Sequence, residues 1–101
     1  MADGVLTITF DRPDKFNSFN RELALGVQSA LKQAADDAAI RCVVITGSGK
    51  AFCAGQDLSE AIDPNGPELS TIVSEHYNPI IVAIRKLPKP VIAAVNGVAA
   101  K

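Results

Sequence analysis

The feature that most constrains this fold is a buried-strand pattern that runs directly into glycine and other small residues. Residues 42–46 read Cys-Val-Val-Ile-Thr, and residues 47–58 follow as Gly-Ser-Gly-Lys-Ala-Phe-Cys-Ala-Gly-Gln-Asp-Leu. A short apolar run bounded by glycine is typical of a parallel strand covered on both faces. Small residues after such a strand leave backbone N–H groups bare, where they can hold an oxyanion. The pattern therefore favours a parallel sheet with a backbone anion-binding turn.

Apolar periodicity predicts two further strands and one long helix. Residues 5–10 interleave apolar side chains with Thr and predict a strand, while residues 91–95 form another apolar run typical of a buried parallel strand. Residues from about 20 to 38 predict a helix capped by Asn20, because apolar positions recur at helical spacing at Leu23, Val27, Leu31 and Ala34. Gly26, inside this helix, is expected to allow close approach of another backbone. The alternation predicts one α/β unit without an internal boundary.

Residues 69–87 have helical spacing that a proline interrupts. Pro79 has no backbone N–H to donate, so the pattern predicts two helical segments, with Asn78 capping the second. Near the start of the chain, Asp3-Gly4 is a hairpin turn signal without a strand before it. The first strand is therefore expected to keep one unpaired edge.

Composition excludes several classes of function. Ten Lys and Arg against eleven Asp and Glu give a net charge of −1, and the basic residues are scattered, so no nucleic-acid surface is expected. No run of about 18 apolar residues could span a membrane, and the acidic start argues against a secretory signal. Cys42 and Cys53 have no partner at metal-site spacing and are interpreted as free thiols. The chain is expected to be cytoplasmic and to bind no metal.

A phosphate-binding loop is the first alternative for the glycine turn, because residues 47–50, Gly-Ser-Gly-Lys, follow a strand. A true P-loop needs a Gly five residues before its second Gly. It also needs Ser or Thr after the Lys, so that a hydroxyl can reach magnesium. Those positions hold Val44 and Ala51. The P-loop interpretation is therefore rejected.

Four segments together resemble the crotonase (enoyl-CoA hydratase/isomerase) superfamily: residues 12–13, 17–20, 52–58 and 87–97. Within that superfamily, residues 52–58, 77–79 and 96–100 are most similar to the phenylacetate-pathway branch, the isomerases of ring-epoxide phenylacetyl-CoA. The resemblance covers nearly all 101 residues. It implies an α/β fold of the crotonase-like ββα spiral type, of which residues 1–101 would be the N-terminal portion.

This resemblance implies chemistry on an acyl-CoA thioester. Loss or gain of a proton beside the thioester carbonyl passes through an enolate, whose oxygen two backbone N–H groups can hold. In the family pattern one donor is the residue after Ala-Gly, which is Gln56 here. Its backbone N–H is the expected catalytic group, and its side chain is expected to be incidental. Gly55 would permit close approach of the thioester, and Ala54 would leave space for the pantetheine arm.

The same resemblance implies the remaining binding residues. Lys15, Phe16 and Asn17 would lie near the nucleotide end, and the pocket lining would continue through Asp57, Leu58 and Ser59. Without the resemblance, the pattern is equally that of a tight strand-to-helix turn with Asp57 as its N-cap. His76, the sole histidine, lies in an apolar helical stripe without a partner acid in the motif, and is expected to be packed or half-exposed rather than catalytic. Coenzyme A would belong to the substrate, so no separate cofactor is expected.

The resemblance places the second half of the catalytic machinery beyond this sequence. The family's second oxyanion donor lies in a glycine run after residues 96–97, where this chain reads Val-Ala-Ala-Lys, and the acid and base carboxylates come later. The chain alone is expected to be inactive. Double-bond or ring-epoxide isomerisation is the first hypothesis for the full-length protein. The alternatives are a plain enoyl-CoA hydratase of fatty-acid oxidation and a non-catalytic fragment that binds CoA or self-associates. The family habit also implies a homotrimer or hexamer.

Overall fold

A computed structural model describes residues 3–66 and 68–99, which form an alternating series of strands and helices. The strands are β1 (Val5–Phe10), β2 (Cys42–Gly47), β3 (Ala51–Cys53), β4 (Val91–Ala93) and β5 (Val98–Ala99). The helices are α1 (Arg21–Asp36), α2 (Leu58–Ala61), α3 (Leu69–Thr71) and α4 (Asn78–Lys86), with a 3₁₀ turn at Pro13–Lys15 and a π-helical segment at Ile72–Tyr77. This order confirms the predicted α/β class.

Three strands form a parallel sheet in the order β1-β2-β4. Val5 of β1 pairs with Cys42 of β2, and Val43 of β2 pairs with Val91 of β4. β3 and β5 pair separately, also in parallel. Because β1 ends the strand order, its outer edge has no strand partner within residues 3–66 and 68–99, as the sequence predicts.

The sheet buries its side chains unequally. Val43 and Ile45 of β2 belong to the hydrophobic core, whose other members are Ile8, Phe10, Phe19, Ala24, Val27, Leu31, Ala34, Ile40, Ile80 and Leu87. On β4, Ile92 is 52% exposed and Ala93 is also exposed. The prediction that residues 91–95 are covered on both faces is therefore wrong for the described part of the chain, where no element covers Ile92.

Helix α1 begins where the sequence predicts. The Oδ1 of Asn20 accepts a hydrogen bond from Leu23 N at 2.9 Å, which satisfies one of the free N–H groups of the first turn. The buried stripe is Ala24, Val27, Leu31 and Ala34. Gly26 does not meet its expectation: nothing lies within 4 Å of the position that a Cβ would take there. Among residues 3–66 and 68–99, no neighbouring backbone therefore compensates for this glycine.

The predicted break at Pro79 is a π-helical turn instead. Asn78 has helical angles of φ −57 and ψ −42, and its N–H donates to Val73 O, five residues back. A second helical segment, α4, does begin at Asn78, but Asn78 is its first helical residue and not its N-cap, so the predicted capping role is wrong. The carbonyl of Glu75, which Pro79 cannot serve, accepts a hydrogen bond from Gln28 Nε2 at 2.7 Å. The helical path continues because α1 supplies the missing donor.

Candidate functional site

The turn after β3 leaves one backbone N–H free in a fixed direction. Phe19 N donates to Gly55 O at 2.6 Å, and Asp57 N donates to Phe19 O at 2.7 Å. The N–H and C=O of a trans peptide point in opposite directions, so the N–H of Gln56 points away from Phe19. Within residues 3–66 and 68–99, this N–H donates to no acceptor. The structure thus presents the N–H that the sequence analysis assigns to an oxyanion.

The neighbouring amides are already used, which singles out Gln56. Ala54 N donates to Phe16 O at 3.0 Å, and Gly55 N donates to the Sγ of Cys53 at 3.4 Å. Gly55 has a φ of 101°, a conformation that side chains resist. Among residues 54–57, the N–H of Gln56 is thus the one donor without an acceptor in the described part of the chain, and Gly55 before it has no Cβ.

Asn17 joins the loop between β1 and α1 to the turn between β2 and β3. Its side chain is fully buried, and its Nδ2 donates to Ser48 O at 2.9 Å and to Ala51 O at 2.8 Å. Its Oδ1 accepts a hydrogen bond from Arg12 N at 2.8 Å. The side chain is thus committed inside the protein, whereas the sequence analysis placed Asn17 at the nucleotide end of the substrate. The two other residues of that prediction, Lys15 and Phe16, lie exposed beside it.

Asp57 is the N-cap of α2 and belongs to an ion pair. Its Oδ1 accepts hydrogen bonds from Ser59 N at 2.9 Å and Ser59 Oγ at 2.6 Å, and its Oδ2 lies 3.0 Å from Arg12 Nη2. The Ser59 hydroxyl and then the Arg12 guanidinium lower the pKa of Asp57 to about 2. A carboxylate bound in this way is a poor proton acceptor at neutral pH. The capping role that the bare sequence pattern allowed is therefore confirmed.

The side chain of Gln56 makes contacts that the sequence analysis did not anticipate. Its Oε1 accepts a hydrogen bond from the hydroxyl of Tyr77, and its Nε2 donates to Asp57 O and to Glu60 Oε1, each at 3.2 Å. Burial, together with the nearby Cys53 and Glu60, raises the pKa of Tyr77 to about 12. The phenol therefore keeps its proton and remains a donor. Tyr77 lies 21 positions from Gln56 and no local pattern links them.

His76 is buried, as predicted, but without hydrogen bonds. It is 1% exposed, and neither ring nitrogen has a partner among the residues that the structure describes. Its Nδ1 lies 3.8 Å from Glu60 Oε1, while Glu60 Oε2 accepts a hydrogen bond from Arg21 N at 2.9 Å. Glu60 lies 16 positions before His76 in the sequence, and no local pattern links the two.

Asn96 joins the turn between β2 and β3 to the segment that follows β4. Its Oδ1 accepts a hydrogen bond from Gly47 N at 3.0 Å, and its Nδ2 donates to the carbonyl oxygens of Gly49 and Ala51, each at 3.2 Å. A Cβ on Gly97 would lie 2.1 Å from Lys50 O, so only glycine fits there. This is a structural reason for the Asn-Gly pair that the resemblance used.

The proposed lining residues form an open edge rather than an enclosed pocket. Ala54, Leu58 and Ser59 are exposed, with Leu58 at 72%. A groove of about 430 Å³ lies elsewhere, between β1 and α1, with Thr7, Thr9 and Gly26 in its wall. In the described part of the chain, no group of three His, Cys, Asp or Glu side chains could hold a metal ion, and no helix there is long and apolar enough to cross a membrane. Within the described residues, the side chains of Ala54, Leu58 and Ser59 thus line an open edge beside the turn after β3.

Comparison with known proteins agrees with this geometry. The sequence profile of enoyl-CoA hydratase/isomerase matches residues 1–101. The 1,2-epoxyphenylacetyl-CoA isomerase of Escherichia coli K12 is 51% identical over 100 residues, which cover 96% of this chain and 38% of that protein.

Solved structures give the same answer for the fold. The enoyl-CoA hydratase of Bacillus anthracis superposes with a TM-score of 0.87 at 38% identity, over 95% of this chain and 37% of that one. The enoyl-CoA hydratase of Mycobacterium smegmatis gives 0.84 at 37% identity, over 94% and 37%. The chain therefore spans less than two fifths of the length of these relatives. With its whole length matched to one family and its backbone superposed on that family's structures, this chain belongs to the crotonase (enoyl-CoA hydratase/isomerase) family.

Proposed function

We propose that a full-length protein carrying this chain binds an acyl-CoA thioester with its carbonyl oxygen on the backbone N–H of Gln56. The observation that carries this proposal is the free N–H of Gln56, aimed away from Phe19 by the hydrogen bond from Phe19 N to Gly55 O. Ala54 and Gly55 leave room for the thioester beside it. Lys15 and Phe16 are proposed for the nucleotide end, and Leu58 and Ser59 for the acyl side.

The chemistry that fits this donor is stabilisation of a thioester enolate. Removal of a proton beside the carbonyl moves negative charge onto its oxygen, and a preorganised N–H is worth most at that moment. Asp57 is not a candidate for the proton transfer, because its carboxylate is paired with Arg12 and Ser59. The second donor and the acid or base are assigned to residues outside this chain.

Isomerisation is the preferred reaction, by double-bond shift or ring-epoxide opening in phenylacetate breakdown. Its support is the 51% identity to the 1,2-epoxyphenylacetyl-CoA isomerase of Escherichia coli. Enoyl-CoA hydration is the second candidate, since the two superposed structures are both enoyl-CoA hydratases. We further propose a cytoplasmic homotrimer or hexamer without a separate cofactor. The 101-residue chain alone should show no turnover.

The test removes the N–H of Gln56 without changing its shape. Replacement of the amide by an ester at this position, in the full-length protein, should lower kcat about 100- to 1000-fold with 3-hexenoyl-CoA or crotonyl-CoA. Gln56→Ala keeps the N–H and is the matched control. Its loss should be at least tenfold smaller. Equal losses in the two variants would show that the N–H of Gln56 is not the oxyanion donor.

A further inference from the structure

The side chain of Gln56 joins three elements at the oxyanion donor. The hydroxyl of Tyr77, in the π-helical segment, donates a hydrogen bond to Oε1 of Gln56. The Oε1 of Glu60, in α2, accepts a hydrogen bond from Nε2 of Gln56. The carbonyl of Asp57, at the start of α2, accepts from the same Nε2 at 3.2 Å. A glutamine that only carried a backbone donor would have no need of such contacts.

The donor needs support because a glycine precedes it. The peptide between Gly55 and Gln56 is fixed on its carbonyl side by the hydrogen bond from Phe19 N. Gly55, with a φ of 101°, has no Cβ to restrict rotation of that peptide. On the Gln56 side, Asp57 N fixes the next peptide by donating to Phe19 O at 2.7 Å, and the side chain of Gln56 adds a further point of fixation there.

We propose that Tyr77 and the side chain of Gln56 are positioning residues, which hold the Gln56 N–H in the direction that the enolate oxygen requires. This inference rests on the proposed function. Removing the hydrogen bond between them leaves the N–H in place but lets its direction vary.

Both partners of Gln56 are themselves anchored. The Tyr77 ring packs against Phe19 with ring centroids 5.7 Å apart, so the residue that fixes the carbonyl of Gly55 also supports the phenol. Glu60 Oε2 accepts a hydrogen bond from Arg21 N at the start of α1. The support therefore transmits the rigidity of two helices to one peptide group.

The experiment uses Tyr77→Phe and Gln56→Met in the full-length protein, since both keep side-chain size and remove the hydrogen bond. Each should lower kcat about tenfold with 3-hexenoyl-CoA or crotonyl-CoA, whichever the wild type turns over, while KM changes less than twofold, because misplacement of a donor by about 1 Å can cost up to 100-fold. The loss of kcat in the double variant should be no larger than that of the more impaired single variant, as expected for two parts of one contact. Ser74→Ala, exposed on the same segment, is the control and should change nothing.

A spectroscopic readout separates positioning from folding. The infrared carbonyl stretch of bound cinnamoyl-CoA, labelled with ¹³C at the thioester, should shift to lower frequency in the wild type and less in both variants. If the folded variants keep both the wild-type shift and the wild-type kcat, the positioning role is wrong and the oxyanion assignment stands. Absence of a shift in the wild type would overturn the oxyanion assignment, and the positioning role with it.

Discussion

The loop between β1 and α1 and the π-helical segment each bury one polar side chain, with opposite results. Asn17 is 0% exposed and His76 is 1% exposed. Asn17 forms hydrogen bonds to Arg12, Ser48 and Ala51, whereas His76 forms none within the described residues. Burial of a polar group costs little when its partners are supplied and much when they are not. Burial of Asn17 therefore favours the fold beside the site, whereas burial of the His76 nitrogens has a cost in stability.

The largest effect should come from removing the Asn17 clamp. Within the described residues, Asn17→Ala leaves the N–H of Arg12 and the carbonyl of Ser48 unpaired and leaves Ala51 O with only one side-chain hydrogen bond, from Asn96, so we expect a loss of about 3 kcal/mol in the free energy of unfolding. Asn17→Gly is the matched variant, because glycine accepts the φ of 58° without strain. Urea unfolding of both variants separates the loss of the hydrogen bonds from the strain of a Cβ at this φ. A normal stability for Asn17→Gly would mean that the hydrogen bonds contribute nothing.

Replacing His76 should have the opposite sign. His76→Leu has a similar volume and removes two buried nitrogens without partners, so we expect a gain of about 1 to 2 kcal/mol. Thermal and urea unfolding measure it. Destabilisation instead would show that the imidazole has a partner, with Glu60 Oε1 at 3.8 Å as the first candidate, and would remove the contrast with Asn17.

Acid should weaken the loop side of the site through Asp57. Its pKa is about 2 in the folded protein against an ordinary value of 3.8, so its stabilisation is complete above about pH 5 and disappears as the pH falls toward 2. Asp57→Asn should lower stability at pH 7 and flatten its dependence on pH between 5 and 2. Unfolding free energies measured across that range test this. An unchanged slope would contradict the lowered pKa of Asp57 and with it the hydrogen bonds from Ser59 and Arg12.

The smallest effect concerns Gly26, which belongs to neither buried polar group. Gly26→Ala should raise the free energy of unfolding by about 0.5 to 1 kcal/mol, because the helix gains a better former and the added Cβ meets nothing within 4 Å. Urea unfolding provides the measurement, with the exposed Gln33→Ala in the same helix as control. A loss on Gly26→Ala would show that another part of the full-length protein packs there.

Local patterns predicted the elements well and the contacts within the site poorly. The N-cap of α1 at Asn20 and the strand β2 could be predicted from residues only a few positions apart in the sequence. The clamp from Asn17 to Ala51 spans 34 positions, and the contact of Tyr77 with Gln56 spans 21. Such contacts depend on how loops pack, which periodicity does not encode. The π-helical turn was missed because a proline in a helical pattern normally ends it, and here Gln28 supplies the donor from another helix.

The π-helical segment also sets the rotational phase of everything that follows it. A π turn contains one residue more than an α turn, and each residue of an α-helix advances by about 100° around the axis. Loss of a single residue within Ile72–Tyr77 would let the segment relax to an α-helix and turn Tyr77 away from Gln56 or α4 away from the core. A one-residue deletion in this segment would thus change the direction in which Tyr77 and α4 face more than it changes the length of the helix. A deletion anywhere before Tyr77 in this segment would therefore reach Gln56 through the hydroxyl of Tyr77.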